Sequence, residues 1–324
     1  MRRLVHYYIP LVLPVLTSLG LLQAQTVSTT PVGYRTDTIP AGNNPYAPTF
    51  VHADSFVSNI SSLTESGTNT IVTLSDATLT ASAYDEGSSY PAYYLEITEE
   101  GTNEGYVFDI VSNTTNTVTV SGLLTSGSAL LSSGFSLTGT ESVAIRKHMT
   151  LSDLFTGATG LSLADSLKFF KSNGTYMQYF WDGSKWTSDF VADDSSCVIY
   201  PGTGFIGVFS QSVTLTSTGH VKSTKTKVPL YSGAINFVSP LAPSDTTIGG
   251  HQATDTLDLA ESIKVFNQDG SLSTKGEYFY DGSKMTKDFT NDHSSDSFKG
   301  HNASLVTVGS DKYITFPAAY TEPD

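Results

Sequence analysis

One stretch of this chain occurs twice, and it constrains the fold more than any other feature. Tyr179-Phe180-Trp181-Asp182-Gly183-Ser184-Lys185-Trp186-Thr187-Ser188-Asp189-Phe190 returns as Tyr278-Phe279-Tyr280-Asp281-Gly282-Ser283-Lys284-Met285-Thr286-Lys287-Asp288-Phe289. An aromatic, strand-prone run meets Asp-Gly and a second run leaves it. Such a pair of runs predicts a tight hairpin, because the turn needs a positive φ that glycine supplies without steric cost. The similarity extends from Leu163 to Ser196 and from Leu259 to Ser295, with three extra residues in the second copy near Ser271–Gly276. Two copies of one supersecondary unit are expected, with the insertion at a turn tip where added length costs little.

Each copy reads as a meander. In the first, Leu167–Phe170, Thr175–Trp181 and Lys185–Phe190 are predicted strands, followed by Phe205–Phe209 and Val213–Thr216. Upstream, short strands are expected at Thr70–Leu74, Tyr93–Thr98, Gly105–Ile110, Thr117–Val120 and Val143–Lys147, with turn residues between them. Helix signals are few. Thr150 precedes Leu151–Phe155 with Asp153 at the third helical position, a capping-box spacing, and Leu257–Ser262 offers a similar turn. The fold class is therefore all-β: an N-terminal β-sandwich or small barrel, then two related meander or sandwich units. The expected divisions are 1–24, 25–147, 148–220 and 221–324. Between the copies, Ile235, Phe237 and Leu241 are expected in the core of the second unit.

Composition supports an exported protein. Charged residues make up 15% of the 324, against roughly 25% in ordinary soluble domains. Residues 1–24 read as a secretory signal: Arg2 and Arg3, an apolar stretch from Ile9 to Leu22, and Leu22-Gln23-Ala24 as the cleavage site. The competing reading is a membrane anchor, which Pro10 and Pro14 and the short apolar run disfavour. No membrane span is expected in the mature chain, which is placed in the periplasm, at the outer surface or outside the cell. The net charge of −14 argues against nucleic acid and anionic membranes as partners. Cys197 is the only cysteine, so no disulfide forms within the chain. It is expected to be a buried strand residue rather than a reactive thiol.

Thr29-Thr30-Pro31-Val32-Gly33-Tyr34, Tyr93-Tyr94 with Glu104-Gly105-Tyr106, and Ile145-Arg146-Lys147-His148-Met149-Thr150-Leu151 with Leu154-Phe155 are motifs of nearly the whole mature chain. Together they resemble a family of secreted proteins of unknown function typical of Verrucomicrobia. Gly233 to Leu241 is similar to the Gly-Trp-Asn-Leu-Ile-Ser-x-Pro opening of β modules common in bacterial surface proteins. Those modules end on a Gly-x-Gly-aromatic strand. Gly202-Thr203-Gly204-Phe205 matches it, whereas the second unit has Gly300-His301-Asn302-Ala303, which leaves its closing strand open to question, and Ala234 replaces the usual Trp. The resemblance implies an exported β-protein and brings no catalytic residues with it.

The chemistry-bearing residues are few. The seven histidines are scattered without metal-site spacing, and no Gly-x-Ser-x-Gly nucleophile motif occurs. Asp182, Asp189, Asp193 and Asp194, with Asp281, Asp288 and Asp292, are the best acidic clusters, and hard carboxylate oxygens suit calcium. The alternative is that they make turns and cap loops. Tyr179, Trp181 and Trp186, with Tyr278 and Tyr280, are candidate platforms for stacking a glycan or docking another subunit, if the face shared by Tyr179 and Trp181 points outward. Otherwise they are core. The expected function is a non-enzymatic structural, adhesion or matrix component of the cell surface, with other surface proteins, glycans or further copies of itself as partners. The alternative is a carbohydrate-binding module. A secreted hydrolase finds no motif to support it.

Overall fold

A computed structural model describes residues 31–87, 89–124, 137–249 and 256–319, so the expected signal segment lies outside the described residues. Among the described residues the regular structure is β apart from one helical turn, Leu151–Phe155. That turn has the predicted box: Thr150 Oγ1 accepts from the Asp153 N–H, and Asp153 accepts from the Thr150 N–H. Leu257–Ser262 makes a turn and then a strand rather than a helix.

Six strands close into a barrel: Asp54–Ser66, Asn69–Leu74, Tyr93–Ile97, Val107–Asn113, Thr117–Ser121 and Ser142–Lys147. Closure depends on the first of these, which the sequence reading missed. Its early half pairs with Ser142–Lys147 and its later half with Asn69–Leu74, with register shifts at Phe56 and Ser62. A shift of this kind lets one strand bend from one neighbour to the next. Alternation then fills the interior: Val118 and Val120, Val72 and Leu74, and Leu95 and Ile97 all point inward. Each such side chain contributes about 1.5–3 kcal/mol by leaving water.

The two repeats are more alike than their sequences. In the first, the sheet runs Trp186–Thr187, Tyr176–Trp181, Ser166–Phe170, Phe205–Phe209, Gly42–Tyr46. In the second it runs Met285–Thr286, Thr274–Tyr280, Ser262–Phe266, Ser304–Thr307, Asn236–Val238. Each adds a two-stranded ribbon: Val32–Ile39 with Val213–His220, and Thr226–Leu230 with Lys312–Phe316. The first module is therefore discontinuous. Its opening strands lie at residues 32–46, and the barrel is inserted before the module resumes at Met149. This departs from the expected 25–147 domain: residues 32–46 pair with strands of the first repeat, not with the barrel. The register also aligns Asn44 with Asn236, and both amides donate back to a preceding carbonyl, Pro40 at 2.8 Å and Tyr231 at 3.0 Å. The second module does have its closing strand, Ser304–Thr307, although the Gly-x-Gly motif is absent. Ile235 is 39% exposed, contrary to expectation, while Phe237 and Leu241 are buried.

The modules face one another with reciprocal bonds. The Ala47 N–H donates to His301 O at 3.0 Å, and the matching Ser239 N–H donates to Gly202 O at 2.9 Å. This is the pattern of a two-fold dimer interface, made here within one chain. Ile206, Phe237, Phe266 and Ala303 pack across it. A Cβ on Gly204 would stand 2.3 Å from that of Ala303, so the approach requires glycine. The inserted segment of the second copy is not a loose tip. Asn43 N–H donates to Gly270 O at 2.7 Å and bridges Ser271, tying the insertion to the first module.

The barrel is fastened through charge. Glu96, Arg146 and Lys222 are all buried. Lys222 lies between the two modules, and its ammonium donates to Glu96 and to the Lys225 carbonyl. Arg146 Nε lies 2.9 Å from the other Glu96 oxygen, and its Nη2 lies 2.9 Å from Asp54. Burial pushes the Glu96 carboxyl upward, but Lys222 and Arg146 more than offset it and hold the group below its ordinary range. Removing one member of such a cluster leaves uncompensated charge out of water. Lys222→Met should lower stability to urea by about 3 kcal/mol; a loss under about 1 kcal/mol would show that Arg146 alone satisfies Glu96.

Candidate functional site

The two hairpins are built alike to the level of single hydrogen bonds. Gly183 and Gly282 sit at φ +101° and +97°, the positions predicted for the turns. Asp182 accepts from the Ser184 and Lys185 N–H groups at 2.8 and 2.9 Å. Asp281 accepts from Ser283 and Lys284, both at 2.9 Å. The following loop is held the same way. Asp189 accepts from Val191 and Ala192 N–H, and Asp288 from Thr290 and Asn291 N–H. Asp193 and Asp292 accept from Ser195 and Ser294, while Asp194 accepts from Ser188. Lys185 and Lys284 close each loop by donating to the Val191 and Thr290 carbonyls.

These aspartates do what the alternative reading held: they cap loops. Among the described residues no group of three or more His, Cys, Asp or Glu is placed to hold a metal ion. The calcium expectation for Asp182, Asp189, Asp193, Asp281, Asp288 and Asp292 therefore gains no support from geometry, because their oxygens are directed at backbone N–H groups.

The aromatic expectation is corrected by the facing of the strands. Tyr179, Trp186 and Tyr278 are buried, with 1–4% of their surface exposed, and offer no ring face to a ligand. Tyr179 receives the Cys197 thiol at 3.1 Å, and Tyr278 donates to Asp296 at 3.0 Å, at the matching place in the second module. Cys197 is buried as expected, and burial raises its thiol pKa. Trp181 and Tyr280 are half-buried and lean on the same cores.

The outward face carries a different set. Phe180 stacks on Phe190 with ring centres 5.1 Å apart and planes at 26°, and Phe279 stacks on Phe289 at 5.5 Å and 24°. Phe190 and Phe289 are 50% and 52% exposed. Both have left-handed backbone, φ 60° and 56°, which costs a non-glycine residue about 1 kcal/mol or more. Asp189 and Asp288, each directly before its phenylalanine, accept from the N–H groups one and two residues after it and so hold that conformation. Leu163 and Leu259, at equivalent positions, are 70% and 68% exposed beside Ala164 and Ala260, whose N–H groups bond the Trp181 and Tyr280 carbonyls. Each module thus ends in the same apolar tip. The sequence signal was present, since both phenylalanines belong to the repeated stretch, but alternation alone does not say which face turns inward.

No family model, curated protein or solved structure matches the chain.

The caps make the tips sensitive to acid. Backbone N–H donors hold the Asp182, Asp189 and Asp288 carboxyls below the ordinary value of 3.8. Folded values below the unfolded one mean that this support is complete above about pH 4 and is lost as pH falls through the folded values. Protection of the Val191, Ala192, Thr290 and Asn291 amides, taken relative to the intrinsic exchange rate at each pH, should fall below about pH 4 while barrel amides keep theirs. An equal loss of protection in both regions would refute a local role for the caps.

Proposed function

We propose that this chain is an exported, non-enzymatic β-protein that serves as an adhesion or structural component of the cell surface and makes contact through its two apolar hairpin tips. The observation that carries the reading is the duplication of a stacked, half-exposed Phe pair on strained backbone in both modules. Strain of this kind persists where surrounding structure holds it for a purpose. Two tips on one rigid frame favour a repetitive partner, because the second contact forms at high effective concentration. Residues 1–24 and the resemblance to secreted proteins support export.

A second reading, a carbohydrate-binding protein, is favoured by the flat aromatic pair itself, which offers a sugar ring an apolar face. Co-sedimentation with envelope fragments of the producing cell tests both. The double variant Phe190→Ala/Phe289→Ala should lose retention at least tenfold, and each single variant should lose less. Retention that survives in the double variant would sink the tip as the adhesive element. Periodate oxidation of the fragments separates the two readings: loss of binding selects the glycan.

A further inference from the structure

The barrel, the first module and the second module meet around a cleft of about 500 Å3. That volume lies within the range of small-ligand sites. The barrel supplies Tyr106 and Asp109, the first module Lys171 and Tyr200, and the second Lys227 and Tyr313. Tyr313 stands edge-on to Tyr106, with ring centres 5.0 Å apart. Tyr200 is 39% exposed, and its hydroxyl donates to Asp109 at 2.7 Å. The other Asp109 oxygen meets His148 Nε2 at 3.0 Å, so this carboxylate is already committed to two protein groups.

The lysines differ from most of their kind in this acidic chain. Lys147, Lys222, Lys225, Lys264, Lys284, Lys287, Lys299 and Lys312 each reach a carboxylate. No ion pair is recorded for Lys171 or Lys227 among the described residues. Lys227 Nζ lies 4.8 Å above the Tyr106 ring and 3.3 Å from Thr315 Oγ1. Burial first, and then Lys225 nearby, lower its pKa against the opposing pull of Glu104, so the cation is only partly compensated. A ligand that supplies an anionic group here would complete the compensation, and tyrosine faces suit the apolar side of a sugar ring.

We infer that the cleft between the barrel and the paired modules binds an anionic saccharide, with its carboxylate or sulfate on Lys171 and Lys227 and a ring against Tyr200. This site is separate from the hairpin tips, and binding here does not require that the tips adhere. Isothermal titration calorimetry of the full chain with a galacturonic acid hexamer, a sulfated galactan hexamer and cellohexaose tests it. One or both anionic hexamers should bind, at least tenfold more tightly than cellohexaose and more weakly as salt rises. Lys171→Glu, an exposed position, should lower that affinity at least tenfold, and so should Tyr200→Ala. Thermal unfolding confirms that each variant is folded, and Lys171→Glu alone decides the matter if Tyr200→Ala is not. The titrations are repeated in the Phe190→Ala/Phe289→Ala background, so that sugar held at the tips is not counted for the cleft and failure of this site stays distinct from failure of the tips. Absence of binding to both anionic hexamers, equal binding of cellohexaose, or indifference to Lys171→Glu would overturn the inference.

Discussion

Glu96 holds the molecule together. It sits on a barrel strand with none of its surface exposed, and its two oxygens face in different directions. One is bound by Arg146 of the neighbouring barrel strand, the other by Lys222 of the connection between modules. A carboxylate in this position is costly unless every lone pair is answered. The arrangement therefore accepts one placement of the connection and rejects others. Since the same connection joins the two modules, that placement also sets the cleft between them.

The paired modules solve a different problem. A small β unit has edges that invite association and a thin core. Here each unit covers the other, and matching edges exchange matching hydrogen bonds. The buried acids follow the same rule. Asp165 accepts from Ser162 and Ser210 N–H, and Glu261 in its place accepts from Asp258 and Gly309 N–H. A change from Asp to Glu leaves the two tethers intact. The copies differ even in their cores, with Trp186 matched by Met285 and Phe205 by Ser304, but they keep a carboxylate where these backbone groups need an answer.

Much of the architecture was legible in the sequence because its signals are local. Asp-Gly between aromatic runs gives a hairpin, Thr150 with Asp153 gives a capped turn, and short alternating strands give an all-β fold. The discontinuity of the first module was not legible. Val32–Ile39 finds its partner in Val213–His220, far along the chain, and only Asn44 and Pro48 echo Asn236 and Pro240. The candidate site was half legible. Alternation grouped Tyr179 with Trp181 and set Phe180 on the opposite face. Facing was decided by polar partners distant in sequence, Cys197 and Asp296, which give each tyrosine hydroxyl a reason to turn inward. The cleft depends on three bodies meeting, and no local pattern encodes that.

The inserted barrel has an implication for the second module. The chain leaves the first module after the strand Gly42–Tyr46 and re-enters it at Met149, and the module closes around the interruption. The corresponding junction in the second module is the short passage from Ser239 to Asp245, whose last two residues are exposed. This passage is a natural graft point. A foreign domain with adjacent termini, spliced at Ser244-Asp245, would ride on the frame as the barrel does, giving a symmetric carrier with two cargoes.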